Sequence, residues 1–237
     1  NLIAELINKG FNQIFEVTRE TESSLLEEYT NNCDFVFHLA GVNRPKDENE
    51  FMEGNYDFTL NLLQLLKKHG NKAPVLITSS IQAELDNPYG RSKKAGEELL
   101  FNYNKETDSK VYVYRLPNIF GKCSKPNYNT VVATYCHNIA SGLDIQVNNP
   151  DANLNLCYID DLLEEFLKAL DDNPTMQSDY CVVPVTHSIK LGELAQFINS
   201  FKDSRTNLNI PNMEQPLIKK LYSTYLSFLP EENFSYD

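Results

Sequence analysis

The chain has 237 residues, 41% of them hydrophobic and 11% aromatic, which is enough apolar material for one large or two small globular domains and excludes a disordered protein. Its net charge is −12 with no basic stripe, which argues against nucleic acid and requires any anionic ligand to be held by a few local groups. No apolar run reaches the length of a membrane span and no signal peptide opens the chain, so a cytoplasmic protein without a membrane partner is expected.

In chain order, Asn1–Asn8 reads as a helix, Ile14–Val17 as a buried strand and Ser24–Asn31 as a helix. Phe35–Leu39 is the next strand, Thr59–His69 a helix, Val75–Thr78 a strand, Tyr89–Asn104 a helix and Val111–Arg115 a strand. Thr130–Ser141 and Asp160–Leu170 are further helices. Strands alternating with helices of ten or more residues predict an α/β fold, a Rossmann-like doubly wound parallel sheet with helices on both faces. Beyond about residue 145 the alternation weakens and prolines at 150, 174, 184, 211 and 216 punctuate short elements. We therefore expect a single domain in two parts: a dinucleotide-binding core over 1–145 and a smaller, mainly substrate-binding lobe over 146–237.

A nucleotide-binding sheet normally opens with a strand and a glycine-rich turn that brings backbone amides to the pyrophosphate. This chain opens with Asn1-Leu2-Ile3-Ala4-Glu5-Leu6, which reads as the helix that follows such a turn. The expectation is that the first strand and glycine loop are missing here, which would weaken dinucleotide binding and leave a sheet edge open.

The chemistry concentrates in Ser79 to Lys93. Pro88 disfavours helix at Asn87 and suits the first turn of a helix that begins there. Tyr89 and Lys93 then stand at i and i+4 and share a helix face. A free phenol, with a pKa near ~10, is a slow proton donor at neutral pH. A fixed ammonium beside it favours the phenolate and lowers that value. Ser79 and Ser80 close an apolar strand, and ligands of parallel sheets bind at the carboxyl ends of the strands. That place distinguishes the pair from a Tyr and a Lys that meet by chance on an amphipathic helix. The arrangement can protonate a carbonyl oxygen while a hydride attacks the carbonyl carbon.

The five cysteines are odd in number and contain no Cys-x-x-Cys, and none of the four histidines pairs with another ligand at metal spacing. Reduced thiols and no metal site are expected, with His38 and His137 as core or surface residues. Glu164-Glu165 reads as a solvated helix face.

These words resemble, in order, those of the extended short-chain dehydrogenase/reductase family. Asp34-Phe35-Val36-Phe37-His38-Leu39-Ala40-Gly41 resembles its fourth-strand signature, in which the Asp approaches the adenine and the small residues let backbone meet the cofactor. Asn55-x-x-x-Thr59-x-Asn61 resembles the following helix with its structural or proton-relay Asn. Ser79-Ser80, with Ser80 at the catalytic hydroxyl, and Tyr89-x-x-x-Lys93 resemble the catalytic set. Arg115-x-Pro117-Asn118-x-Phe120-Gly121 resembles the segment lining the nicotinamide, and Tyr158-Ile159-Asp160-Asp161 a later strand-to-helix signature.

A closer resemblance is to the bacterial capsular-polysaccharide sugar-nucleotide reductases, carried by Gly41-Val42-Asn43-Arg44-Pro45, Asp86-Asn87-Pro88-Tyr89-Gly90, Lys125-Pro126-Asn127-Tyr128-Asn129 and Leu221-Tyr222-Ser223-Thr224-Tyr225-Leu226. It implies an NADPH-dependent reductase of a UDP-linked 4-keto sugar, a homodimer, and a zinc-binding cupin domain that follows. Arg19 would meet the extra phosphate of NADP. Asp34, Leu39, Ala40, Gly41, Asn55, Ser79, Tyr89, Lys93, Pro117 and Asn118 would line the cofactor; Arg44, Asn118, Asn127, Asn129 and Arg205 would line the substrate. An Arg common on the strand before Asp160-Asp161 is replaced here by Leu154 and Asn155, so Arg205 or Lys122 is left to clamp the diphosphate. The alternatives are an epimerase or dehydratase with tightly held NAD, and a non-catalytic NADP-binding sensor or scaffold. Arg19 and Ile81-Gln82 after the catalytic hydroxyl speak against the first, and the intact Ser80, Tyr89 and Lys93 against the second.

Overall fold

The computed structural model describes residues 1–231, apart from the side chains of Arg205 and Thr206. In chain order the elements are α1 (Leu2–Asn8), α2 (Ser23–Asn32), β1 (Val36–His38), α3 (Asn49–Met52), α4 (Phe58–His69), β2 (Val75–Ser80) and α5 (Pro88–Thr107). There follow β3 (Val111–Leu116), β4 (Asn118–Phe120), α6 (Val131–Ala140), β5 (Asn153–Tyr158) and α7 (Ile159–Leu170). The last are β6 (Met176–Gln177), β7 (Tyr180–Cys181), β8 (His187–Lys190), α8 (Leu191–Asn207) and α9 (Pro216–Leu226). A π-helical turn, Glu53–Asp57, joins α3 to α4, and a 3₁₀ turn, Ile81–Glu84, follows β2.

The chain divides into two compact units. One holds Leu2–Leu116 and Glu165–Val182; the other holds Asn1, Pro117–Glu164 and the chain from Val183 onward. The division falls at Leu116 rather than near residue 145, and the chain re-enters the first unit through the second half of α7.

In the first unit the sheet runs β1-β2-β3-β7-β6, parallel except for the last pair. β2 and β3 are buried along most of their length on both faces, as central parallel strands require; β2 is apolar over Val75–Ile77 and then turns polar at Thr78, Ser79 and Ser80. Leu63, Leu66, Leu100 and Tyr103 of the helices close over Val75, Ile77 and Val113. α4 stops at Gly70, whose φ of +61° accepts the left-handed cap and lets the Asn71 N–H reach the Leu66 carbonyl at 3.0 Å. α5 starts where Pro88 and the Asn87 side chain dictate, the latter accepting from the Gly90 N–H at 2.8 Å.

Two expectations need correction. Ile14–Val17 does not form a strand, because no neighbouring backbone among the described residues offers it a ladder. It instead lines a cavity of about 420 Å³ with β1, α1 and α2, walled by Leu6, Leu26, Val36 and Leu62. Glu165 is not solvated: it is 2% exposed and accepts from Lys168 at 2.6 Å and from the Thr175 hydroxyl at 3.2 Å. Glu164 is exposed as expected.

In the second unit, β4-β5-β8 form a small mixed sheet, parallel between β4 and β5 and antiparallel between β5 and β8. Its core gathers Phe120, Leu156, Ile198, Phe201, Leu221 and Tyr225. Gly121, at φ +147°, is obligatory there, since an added Cβ would lie 2.3 Å from Ile159.

Candidate active site

β2 ends in Ser79 and Ser80, and α5 places Tyr89 and Lys93 in its first two turns. Lys93 is only 8% exposed, and its ammonium donates to the Thr78 carbonyl at 3.1 Å and stands 5.9 Å from the Tyr89 ring centre. Ser80, also 8% exposed, accepts from the Gln82 N–H at 3.1 Å. Burial pushes the Lys93 amine down to about 8, opposed by the Glu97 carboxylate.

The Tyr89 phenol does not carry the lowered value expected from the Tyr/Lys spacing. Burial raises it above its ordinary value, and the Ser80 hydroxyl pulls it partway back. Desolvation of the phenolate is the larger of the two effects and decides the direction.

The turn after β1 supplies the opposite wall. Gly41 keeps this turn close to the site: an added Cβ would stand 2.8 Å from the Lys93 amine and 2.9 Å from Asn55 Oδ1 and would push those side chains aside. Asn55 is buried in the π-helical turn; its carbonyl oxygen Oδ1 accepts from the Val42 N–H at 2.9 Å. Its amide donates to the Val42 carbonyl at 3.2 Å and to the Ser92 hydroxyl at 3.0 Å. The Thr59 hydroxyl donates to the Asn55 backbone carbonyl at 2.9 Å and meets His38 Nε2 at 2.7 Å. His38 is thus a buried core histidine, pushed down to about 4 by burial and by the Lys93 charge, and so neutral at physiological pH.

Ser79, Ser80, Tyr89, Lys93, Gly41 and Asn55 therefore converge. Asp34, Leu39 and Ala40 line the apolar cavity beside β1. Arg19 and Arg44 are exposed, and among the described residues no hydrogen bond or ion pair joins Arg19, Asp34 or Arg44 to the converging group. Pro117, Asn118, Asn127 and Asn129 belong to the second unit. There Asn118 opens β4, and Asn127, at φ +56°, donates its N–H to the Thr134 hydroxyl at 3.0 Å. Asn118, Asn127 and Asn129 are exposed. Lys122 pairs with Asp160 at 3.2 Å, which engages the charge considered for a diphosphate. Arg205 lies in α8, and its side chain is outside the described residues.

Sequence reasoning missed Ser92 and Glu97 as members of the site. Glu97 stands at i+4 from Lys93 on the same face, a spacing that was available to find it. Among the described residues no group of three His, Cys, Asp or Glu side chains could hold a metal ion, and no helix is long and apolar enough to cross a membrane.

Residues 3–182 match the family described as NAD dependent epimerase/dehydratase. The whole chain is 46% identical to the UDP-2-acetamido-2,6-beta-L-arabino-hexul-4-ose reductase of Pseudomonas aeruginosa, and covers 63% of that protein. The structure superposes on the capsular polysaccharide assembling protein CapF from Staphylococcus aureus with a TM-score of 0.92 and 44% identity, over 100% of this chain and 64% of that one. RMD from Pseudomonas aeruginosa, solved with NADPH, shares the fold at a TM-score of 0.74 and 21% identity, over 97% of this chain and 95% of that one. This chain spans slightly under two thirds of the first two relatives.

Proposed function

The chain belongs to the NAD dependent epimerase/dehydratase family, and from that premise we propose that it is an NADPH-dependent reductase acting on the 4-keto group of a UDP-linked deoxy-amino sugar. The product would be a precursor of capsular or other surface polysaccharide. The observation that carries the reading is the convergence of Ser80, Tyr89 and a buried Lys93 at the carboxyl end of β2. Identity to the hexulose reductase over the full chain supports the substrate class.

The residues present fit a dinucleotide. Gly41 leaves out a side chain where one would strike Lys93 and Asn55, and Leu39, Ala40 and Gly41 expose backbone at the end of β1. When bound, the dinucleotide supplies the hydride. Leu39, Ala40, Gly41, Asn55, Ser79, Pro117 and Asn118 would hold it, with Asp34 at the adenine and Arg19 at the phosphate that marks NADP.

Ser80 orients the sugar ketone through its hydroxyl. Tyr89 gives its phenolic proton to the ketone oxygen as that oxygen gains charge, so the ketone becomes an alcohol. Lys93 stabilises the phenolate left behind and holds the nicotinamide ribose. Burial of Tyr89 keeps the phenol protonated until the substrate oxygen takes the proton. Arg44, Asn118, Asn127, Asn129 and Arg205 are the side chains assigned to the sugar nucleotide. The active protein would be a cytoplasmic homodimer carrying a cupin domain after the reductase part.

The test is NADPH oxidation by the full encoded protein with a UDP-linked 4-keto-6-deoxy amino sugar. One NADPH consumed per ketone reduced is expected. Interconversion of sugar nucleotides with no net NADPH consumption would contradict the proposal in favour of an epimerase.

A further inference from the structure

Glu97 is the most deeply enclosed charged group beside the catalytic set, with a side chain only 2% exposed. A carboxylate so placed requires several donors, and four converge on it. The Ser79 hydroxyl donates to Oε1. Arg115 donates through Nε to Oε1 at 3.0 Å and through Nη2 to Oε2 at 2.6 Å. The Tyr180 hydroxyl donates to Oε2 at 3.4 Å. The Arg115 guanidinium also stacks 3.8 Å from the Tyr180 ring centre and pairs with Glu84 at 2.9 Å.

One carboxylate thereby fastens α5 to β2, β3 and β7. Ser79 and Arg115 are register partners across β2 and β3, so both donors come from the same level of the sheet. That level lies between the two contacts chemistry needs: the Thr78 carbonyl that accepts from Lys93, and Ser80. Lys93 has few other groups to answer its charge. Tyr89 is neutral, His38 of β1 is neutral, and Asn55 and the Thr78 carbonyl offer only dipoles. Arg115 and Glu84 reach the group through Glu97 itself.

We propose that Glu97 is a positioning residue for the proton-donating pair: through Ser79 it fixes the end of β2 against Lys93 and Tyr89, and its carboxylate, held by Arg115 one helical turn from Lys93, adds a field that favours the Lys93 ammonium. The kinetic consequence rests on the reductase reading; the electrostatic one does not.

The experiment follows the Lys93 ¹³Cε signal against pH in ¹³C-lysine-labelled full encoded protein, assigned by Lys93→Arg. Glu97→Gln keeps the shape and loses the charge. It is expected to lower the Lys93 midpoint by about one pH unit and to move the alkaline limb of turnover by the same amount. Glu97→Asp is expected to restore most of the midpoint. Where Glu97→Gln does not fold, Ser79→Ala removes one hydroxyl and leaves Arg115 paired. It is expected to cost about tenfold in turnover at unchanged KM and to lower the midpoint by a few tenths of a pH unit. An unchanged Lys93 midpoint in the folded variant would overturn the proposal while leaving the reductase reading intact. Absence of NADPH turnover with a shifted midpoint would sink the reductase reading and leave the role of Glu97 standing.

Discussion

The two units bury different things. In the first, His38, Asn55, Thr59, Ser79, Ser80, Ser92, Lys93 and Glu97 are all under 9% exposed; hydrogen bonds link His38, Thr59, Asn55 and Ser92 in one chain and Ser79 to Glu97, while Lys93 and Ser80 bond to the backbone of Thr78 and Gln82. In the second, the core is Phe120, Leu156, Phe201, Leu221, Tyr225 and their neighbours, while Asn118, Asn127 and Asn129 face solvent. A buried polar network holds one geometry because each misplaced partner leaves an unsatisfied group. Exposed polar side chains over an apolar core can change without threatening the fold. The geometry proposed for catalysis is thus built where change is costly, and the side chains proposed for the sugar where it is cheap.

This contrast can be broken at graded depths. Phe201 is fully buried, with its ring centre 5.2 Å from Tyr222 and 5.9 Å from Tyr225. Phe201→Ala is expected to destabilise the protein by about 3–5 kcal/mol, read from urea denaturation. A loss under about 1 kcal/mol would show that the core of the second unit is not tightly packed.

A smaller effect follows from Lys93, whose amine is pushed down to about 8 by burial. Below that pH the ammonium is present and turnover is expected to be full; above it turnover should decline about tenfold per pH unit. The stability contribution runs the other way. The folded value lies below the ordinary 10.5, so between about 8 and 10.5 the unfolded chain binds more protons and the contribution of Lys93 rises with pH. A pH–rate profile flat to pH 10 would contradict the charged role of Lys93. The smallest effect is expected from Asn129→Ala, a KM for the sugar nucleotide raised about threefold to tenfold with kcat nearly constant. A fall in kcat at constant KM would place Asn129 in the chemistry instead.

The legible parts of the fold were those governed by local rules. β2 opens on the apolar run Val75-Leu76-Ile77, β3 carries apolar and aromatic residues up to Arg115, and the start of α5 follows from Asn87 and Pro88. The pairing of Tyr89 and Lys93 was legible because helix spacing alone puts them on one face. Ile14–Val17 misled because strand character needs a partner that its own sequence cannot supply. Glu165 misled because the burial of one acid in an adjacent pair depends on Thr175, ten residues away. The π-helical turn at Glu53–Asp57 leaves no periodic signature, yet it sets the Asn55 carbonyl that Gly96 lets α5 approach. The raised phenol of Tyr89 was not legible either, since burial is a property of the whole packing.

The most direct measurement is turnover of Tyr89→Phe in the full encoded protein with NADPH and the 4-keto sugar nucleotide, alongside its thermal unfolding. The account predicts a loss of roughly 10²–10⁴-fold in kcat with the fold retained. Near-normal turnover in a folded Tyr89→Phe protein would contradict it.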